Sequence, residues 1–212
     1  STLFRAAHDF GSAAVASGLS KDAMRVSAFN KRLTIPPAYQ EEAAKGLMEN
    51  FLKNIVLPPK GSVISAYMPF NAEMNVKPLM AHLLGEGYKI TIPHVMTNLS
   101  ALEFRTWTPK TPMRSNMHGI EEADTRYSEV LLPDLLIVPL VAFDVKGNRM
   151  GYGSGQFDRT FAQLEKVRKT FGTVGVAYDS QREEEVPTDE HDYPLDIIVT
   201  EKAVYNCREN RQ

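Results

Sequence analysis

The sequence predicts a three-layer α/β fold, a mostly parallel open sheet with helices on both faces in a Rossmann-like arrangement. Three observations carry this. Short β-branched apolar runs at 62–68, 88–93, 135–138, 171–177 and 197–200 alternate with stretches of helical periodicity. Residues 62–93 read strand, helix, strand, the order of a right-handed parallel unit. Leu135-Leu136-Ile137-Val138 is apolar without alternation, as a strand buried on both faces must be. A chain of 212 residues holds one sizeable domain of this class and is short for two. Residues 1–20 are alanine-rich and weakly patterned, so they read as an extension to a single domain spanning 21–212.

Each element has its own justification. Ser20 is an N-cap residue type before a helix that opens at Lys21. Pro36-Pro37 starts a second helix that runs to about Ile55, with Ala43, Ala44, Leu47, Phe51 and Ile55 along one side. Pro58-Pro59-Lys60-Gly61 ends it, and Ser62–Met68 is the first strand. Pro69 to Glu73 then lies past the strand's carboxyl end, where open α/β sheets place ligands. A helix over Val76–Leu84, a strand over Tyr88–Pro93 and a third strand over Ala101–Thr108 follow, the last containing Trp107, read as core or rim. Residues 109–130 show little periodicity and read as a long connection crossing the active face. Helical pattern returns from Phe157 to about Arg168, and Ile197–Thr200 reads as the final short strand.

Composition narrows the function classes. Hydrophobic content of 43% and charged content of 24% are ordinary for a globular protein, and a net charge of −2 gives no reason to expect nucleic acid or an anionic membrane as partner. No apolar run approaches the roughly 20 residues that span a bilayer. Cys207 is the single cysteine and cannot form an internal disulfide, so a reducing, cytoplasmic setting is the expectation. The five histidines lack transition-metal spacing.

The chemistry concentrates in Val138–Arg159. After the central apolar run come the turn Lys146-Gly147-Asn148, then Arg149, then glycines at 151, 153 and 155 before a helical pattern. Alternating glycines let successive backbone amides face one concavity, and a helix N-terminus adds about half a positive charge. Arg149 supplies a fixed cation, and Asp158, in the helix's first turn, a hard oxygen suited to Mg²⁺. Together these describe a nucleotide-phosphate site. The G-x-G-x-G spacing is neither the dinucleotide fingerprint nor a Walker A loop, and Ser154 is not in a nucleophile elbow. On spacing alone, a tight strand-to-helix turn remains an equal reading. Lys21 and Arg25, four apart on one helix face, read locally as a solvated basic stripe. Glu73 reads locally as a charge near a helix start.

The string F-D-x-x-G-N-R-M-G-Y-G-x-G-x-F-D-R at 143–159 closely resembles the signature of the 5-formyltetrahydrofolate cyclo-ligase family. The resemblance extends over about 21–205, through the Lys-x-x-x-Arg start, the strand-end glutamate and a Gly-Val-Ala-Tyr to Val-Thr-Glu pattern near the C-terminus. It implies an ATP- and Mg²⁺-dependent enzyme that closes 5-formyltetrahydrofolate to 5,10-methenyltetrahydrofolate, with a monomer expected. It implies phosphate roles for Lys21, Arg25, Arg149 and the loop Met150, Gly151, Tyr152, Gly153, Ser154, Gly155, Gln156 and Phe157. It implies pterin contacts for Glu73 and Met68, a substrate wall from Tyr152, Ser154 and Gln156, and metal-holding acids at Asp158 and Asp192. Gln156 stands where many members carry tyrosine, and Ser154 where they carry glycine or lysine. Two other readings stay open: a non-catalytic folate or nucleotide sensor, and another α/β phosphate-site enzyme such as a sugar-phosphate isomerase or coenzyme A transferase.

Overall fold

The protein is seen in a computed structural model that describes residues 21–167 and 170–212. The predicted extension 1–20, the Ser20 cap and Arg168, the predicted end of the helix that starts at Phe157, lie outside the described residues. Helix α1 covers residues 21–33. It is followed by α2 (Pro37–Asn54), β1 (Val63–Ser65), α3 (Lys77–Gly85), β2 (Lys89–His94) and β3 (Glu103–Thr106). Next come β4 (Met113–Ser115), β5 (Glu121–Ala123), β6 (Leu135–Pro139), β7 (Ala142–Phe143) and β8 (Arg149–Met150). The chain closes with α4 (Gln156–Val167), β9 (Gly172–Val176), β10 (Ile197–Val199), β11 (Val204–Asn206) and the short α5 (Cys207–Asn210).

Seven strands form one sheet in the order β11-β10-β9-β6-β1-β2-β3. The five central strands pair parallel, and the edge strands β3 and β11 are antiparallel. The predicted mostly parallel sheet is therefore present. Strand β6 shows why its sequence is apolar throughout. Leu135 and Ile137 pack with Leu47, Phe51, Leu79 and Leu83 of α2 and α3, while Leu136 and Val138 pack with Phe161 and Leu164 of α4. Alternate side chains thus feed two cores on opposite faces of the sheet. Each fully buried leucine or phenylalanine contributes roughly 1.5–3 kcal/mol.

The connections position the ligand end of the sheet. The unit β1–α3–β2 steps outward in one direction, and β6–α4–β9 steps in the other, so crossovers of one hand put α3 and α4 on opposite faces. Strands β1 and β6 are neighbours, paired through Ile64↔Leu135 and Ser65↔Leu136. The crevice outside their carboxyl ends is the switch point where such sheets bind ligands.

Three expectations are corrected. Residues 109–130 are not an irregular connection: β4 and β5 form a hairpin with Met113 opposite Ala123, and Thr125–Tyr127 is a 3-10 turn capped by Asp124. Three-residue strands carry too little alternation to be recognised. Ile197–Val199 is not the last strand, because Thr200 Oγ1 accepts from the amides of Lys202 and Ala203 and turns the chain back into β11. Glu73 is not in a helix's first turn, since α3 begins only at Lys77. Trp107 is buried in the core.

Candidate active site

The first wall of the site is the turn after β1. Asn71 and Ala72 have φ of 51° and 60°, and Glu73 N–H donates to the Phe70 carbonyl at 3.1 Å. Positive φ at both central residues is the type I′ pattern. For alanine that conformation costs about 1–2 kcal/mol. The turn is held from inside, because the Phe70 amide donates to Glu73 Oε1 at 2.8 Å. Glu73 is 8% exposed, and burial pushes its carboxyl up to about 7, against the opposing pull of the Arg32 cation, the Phe70 amide and the Tyr152 hydroxyl.

The second wall is the glycine loop. It is launched by Asp144, 2% exposed, whose carboxylate accepts from the amides of Lys146, Asn148 and Val186 and from Asn148 Nδ2 at 3.0–3.2 Å. That is the structural content of the F-D-x-x-G-N pattern: an aspartate that closes its own turn so that β7 can return as β8. Beyond β8 the loop bends at Gly153 and Gly155, with φ of +104° and +69°. A Cβ on Gly153 would lie 3.7 Å from Arg25 Cζ, and one on Gly155 would lie 3.2 Å from Arg159 Nη1. The loop is thus a backbone surface pressed against guanidinium groups.

Arg149 sits behind that loop with its side chain 6% exposed, 3.4 Å from Asp158 Oδ1. Its guanidinium lies over the rings of Phe157 and Phe161, 5.4 and 5.8 Å from their centroids. Burial lowers its affinity for a proton, and Asp158 and Asp192 oppose that. Arg149 Nε is buried with no hydrogen-bond partner among the described residues, the condition of a donor that an anion would satisfy. Asp158 Oδ1 also accepts from the Tyr193 amide at 3.1 Å, which brings the Asp192 segment to α4.

Helix α1 closes the site. Lys21 Nζ lies 3.6 Å from Asp192 Oδ2 and 3.8 Å from Asp189 Oδ2. Arg25 Nε donates to the Gly151 carbonyl at 3.1 Å and its Nη1 to Asp22 Oδ1 at 3.0 Å. Arg25 therefore braces the glycine loop as well as facing the cavity. At the mouth, Gln156 Nε2 donates to the Thr97 carbonyl at 3.1 Å and Arg159 Nη2 to the Asn98 carbonyl at 2.9 Å, pinning residues 97–98 to the start of α4.

Every residue singled out from the sequence, from Lys21 to Asp192, lines one cavity of about 570 Å³. The β4–β5 hairpin, read from the sequence only as a crossing connection, supplies Asn116, Ile120 and Glu122 to the same lining. Glu122 ties that hairpin down, accepting from the Val95 amide at 2.8 Å and from Asn116 Nδ2 at 3.2 Å. Sequence reasoning also missed Arg32, which touches both walls. The signal was present: Lys21, Arg25, Ala28 and Arg32 fall on one stripe of α1. Among the described residues, no three His, Cys, Asp or Glu side chains converge as a metal cage.

Residues 20–201 match the model of the 5-formyltetrahydrofolate cyclo-ligase family. A protein of Haemophilus influenzae named 5-formyltetrahydrofolate cyclo-ligase is 35% identical over 174 residues, covering 79% of this chain and 91% of the relative. A protein of the same name from Escherichia coli is 30% identical, covering 82% and 97%. Among solved structures, an NMR structure of Aquifex aeolicus 5,10-methenyltetrahydrofolate synthetase superposes with a TM-score of 0.74 at 28% identity, covering 89% of this chain and 93% of that one. With the motif residues gathered at one switch-point cavity and a family match across most of its length, the chain belongs to the 5-formyltetrahydrofolate cyclo-ligase family.

Proposed function

We propose that this protein is the ATP- and Mg²⁺-dependent ligase that converts 5-formyltetrahydrofolate to 5,10-methenyltetrahydrofolate, releasing ADP and phosphate. The observation that carries the reading is the lining of the cavity, which gathers two sets of groups: Lys21, Arg149 and the glycine loop, and Glu73 with Met68 at the close of β1. A nucleotide fits the first and a pterin the second. Asp158 and Asp192, both felt by Arg149, suit Mg²⁺, which takes one or two carboxylates and completes its shell with phosphate oxygens and water. The ion would neutralise charge on the transferred phosphoryl group.

The reaction needs no side-chain nucleophile. The formyl oxygen takes the γ-phosphoryl group and ADP leaves, which turns a poor leaving group into phosphate. N10 then bonds to the formyl carbon, loses its proton, and phosphate departs as the ring closes. Arg149, Lys21 and the loop amides offset the charge that spreads over the phosphoryl oxygens, with Arg25 holding the loop in place. Glu73, ionised, accepts paired N–H groups of the pterin, and Met68 supplies an apolar floor. Tyr152, Ser154 and Gln156 form the substrate wall.

The test is direct. Pure protein with ATP, Mg²⁺ and 5-formyltetrahydrofolate should develop the near-ultraviolet absorbance of the methenyl product, and chelation of the metal should stop it. Binding without colour would instead support a sensor, a reading to which Gln156 gives some substance by holding Thr97 across the mouth. Turnover without nucleotide would point to an isomerase or transferase.

A further inference from the structure

Arg32 is the group that the reaction above leaves unused. Its side chain is among the largest that are fully buried, at 1% exposure, and it is a cation. Its Nε donates to the Asn71 carbonyl at 3.0 Å, its Nη1 to the Leu140 carbonyl at 3.2 Å, and its Nη2 to the Tyr152 hydroxyl. The guanidinium also lies 5.4 Å from the Phe29 ring centroid and 5.6 Å from that of Tyr152. One fork therefore joins three segments that meet at the cavity: the turn after β1, the residue after β6, and the glycine loop.

Among the described residues no carboxylate forms a direct ion pair with Arg32. A buried cation held only by neutral dipoles is costly, and the carboxylate that feels it is Glu73, whose ionised form Arg32 favours. Accepting from Arg32 leaves the single proton of the Tyr152 hydroxyl free for another acceptor, and Arg32 and Tyr152 both favour the ionised form of Glu73. The same arginine holds the Asn71 carbonyl in a turn whose left-handed residues would otherwise relax, and that turn carries Glu73. The groups that face Glu73 are Arg32 from α1, Tyr152 from the glycine loop, Tyr67 at the end of β1, and the Phe70 amide of its own turn.

We infer that Arg32 is a positioning residue for substrate binding, fixing the turn that presents Glu73 and, through the Tyr152 hydroxyl, the orientation and charge of the Glu73 carboxylate. This rests on the reading that Glu73 receives the pterin. It differs from a packing role because it links α1, whose other end carries Lys21, directly by hydrogen bonds to the turn that carries Glu73 and to Tyr152 of the glycine loop. The glycine-loop tyrosine becomes a connecting group as well as a wall.

The experiment compares Arg32→Met, Arg32→Lys, Tyr152→Phe and Glu73→Gln in full-length protein by steady-state kinetics across pH, with thermal unfolding as the control for folding. Arg32→Met should raise KM for 5-formyltetrahydrofolate about ten-fold or more and move the acid limb of kcat/KM about one pH unit upward, since the carboxylate loses the cation that favours its charge. KM for ATP should stay within about two-fold. Arg32→Lys should return the limb toward its original position. If Arg32→Met does not fold, Tyr152→Phe carries the test, because deleting the linking hydroxyl should shift the limb in the same direction. An unshifted limb in the variant that folds overturns the inference. Should Glu73→Gln itself leave folate KM unchanged, the pterin assignment fails. Should Glu73→Gln weaken folate while Arg32→Met and Tyr152→Phe do not, the assignment stands and only the role of Arg32 is lost.

Discussion

Arg149 Nη2 and Asp158 Oδ1 stand 3.4 Å apart at the first turn of α4, the arginine nearly buried and the aspartate about one-fifth exposed. The distance is long for a committed ion pair, and Arg149 Nε has no hydrogen-bond partner among the described residues. Each group retains capacity for another ligand, which the proposed chemistry requires of both.

Replacing Arg149 with alanine should lower kcat by about 10²–10³, the scale of losing one preorganised charge-stabilising group, with far-UV circular dichroism unchanged. Asp158→Asn should lower turnover by orders of magnitude too, and should also destabilise by about 1–3 kcal/mol because the buried cation loses its counter-charge. Near-wild-type kinetics in either variant would remove the phosphate and metal assignment.

Glu73 sets a pH dependence whose sign follows from burial. Its carboxyl rises from 4.5 to about 7 in the folded chain, so the native state holds a proton that the unfolded chain has released. Stability therefore falls as pH rises through that window and levels off above it, by roughly 3 kcal/mol at most. Glu73→Gln keeps an acceptor for the Phe70 amide and should be more stable than the wild type at pH 8, with the advantage gone near pH 4.5. Denaturant titration at the two pH values measures this. In the wild type, kcat/KM for the folate should climb through pH 7 as the carboxyl ionises.

The glycines separate scaffold from site. A Cβ on Gly147 would stand 2.4 Å from the Leu195 carbonyl oxygen, at φ +88°, so Gly147→Ala should lower the melting temperature sharply, a loss of about 3 kcal/mol or more. Gly153→Ala meets nothing closer than 3.7 Å and suffers mainly from its φ of +104°. It should fold, while raising KM for ATP about ten-fold as the loop amides turn away. Equal effects of the two on melting would contradict this division.

Gln156→Tyr should leave turnover unchanged or raise it. The bond it removes, to the Thr97 carbonyl, is exposed and is worth about 1 kcal/mol or less, whereas a tyrosine adds an aromatic face to the substrate wall. A large rise in KM for the folate would show that Gln156 itself binds substrate.

Much of this molecule was legible without coordinates. The central strand is written in Leu135–Val138 because a strand with helices on both faces has no polar side to display. The bends at Gly153 and Gly155 and the helix that follows with Asp158 in its first turn were legible from local backbone rules, whereas spacing alone left a tight turn as an equal reading and the phosphate role came from the family resemblance. The β4–β5 hairpin was not legible. Its three-residue strands carry no usable period, and what holds them, Glu122 to Val95 and Asn116, links separate segments.

What the sequence by itself determined is the layer order of the sheet, the place of the glycine loop after its central strand, and the kinds of charge available there. Tertiary structure alone decided which groups meet: that Arg25 braces Gly151, that Lys21 meets Asp192, and that Arg32 joins Asn71 to Tyr152. Local periodicity and turn chemistry act over a few residues, so a sequence states them openly. Partners 39 to 171 positions apart are chosen by how the helices settle on the sheet, and no short-range rule encodes that choice.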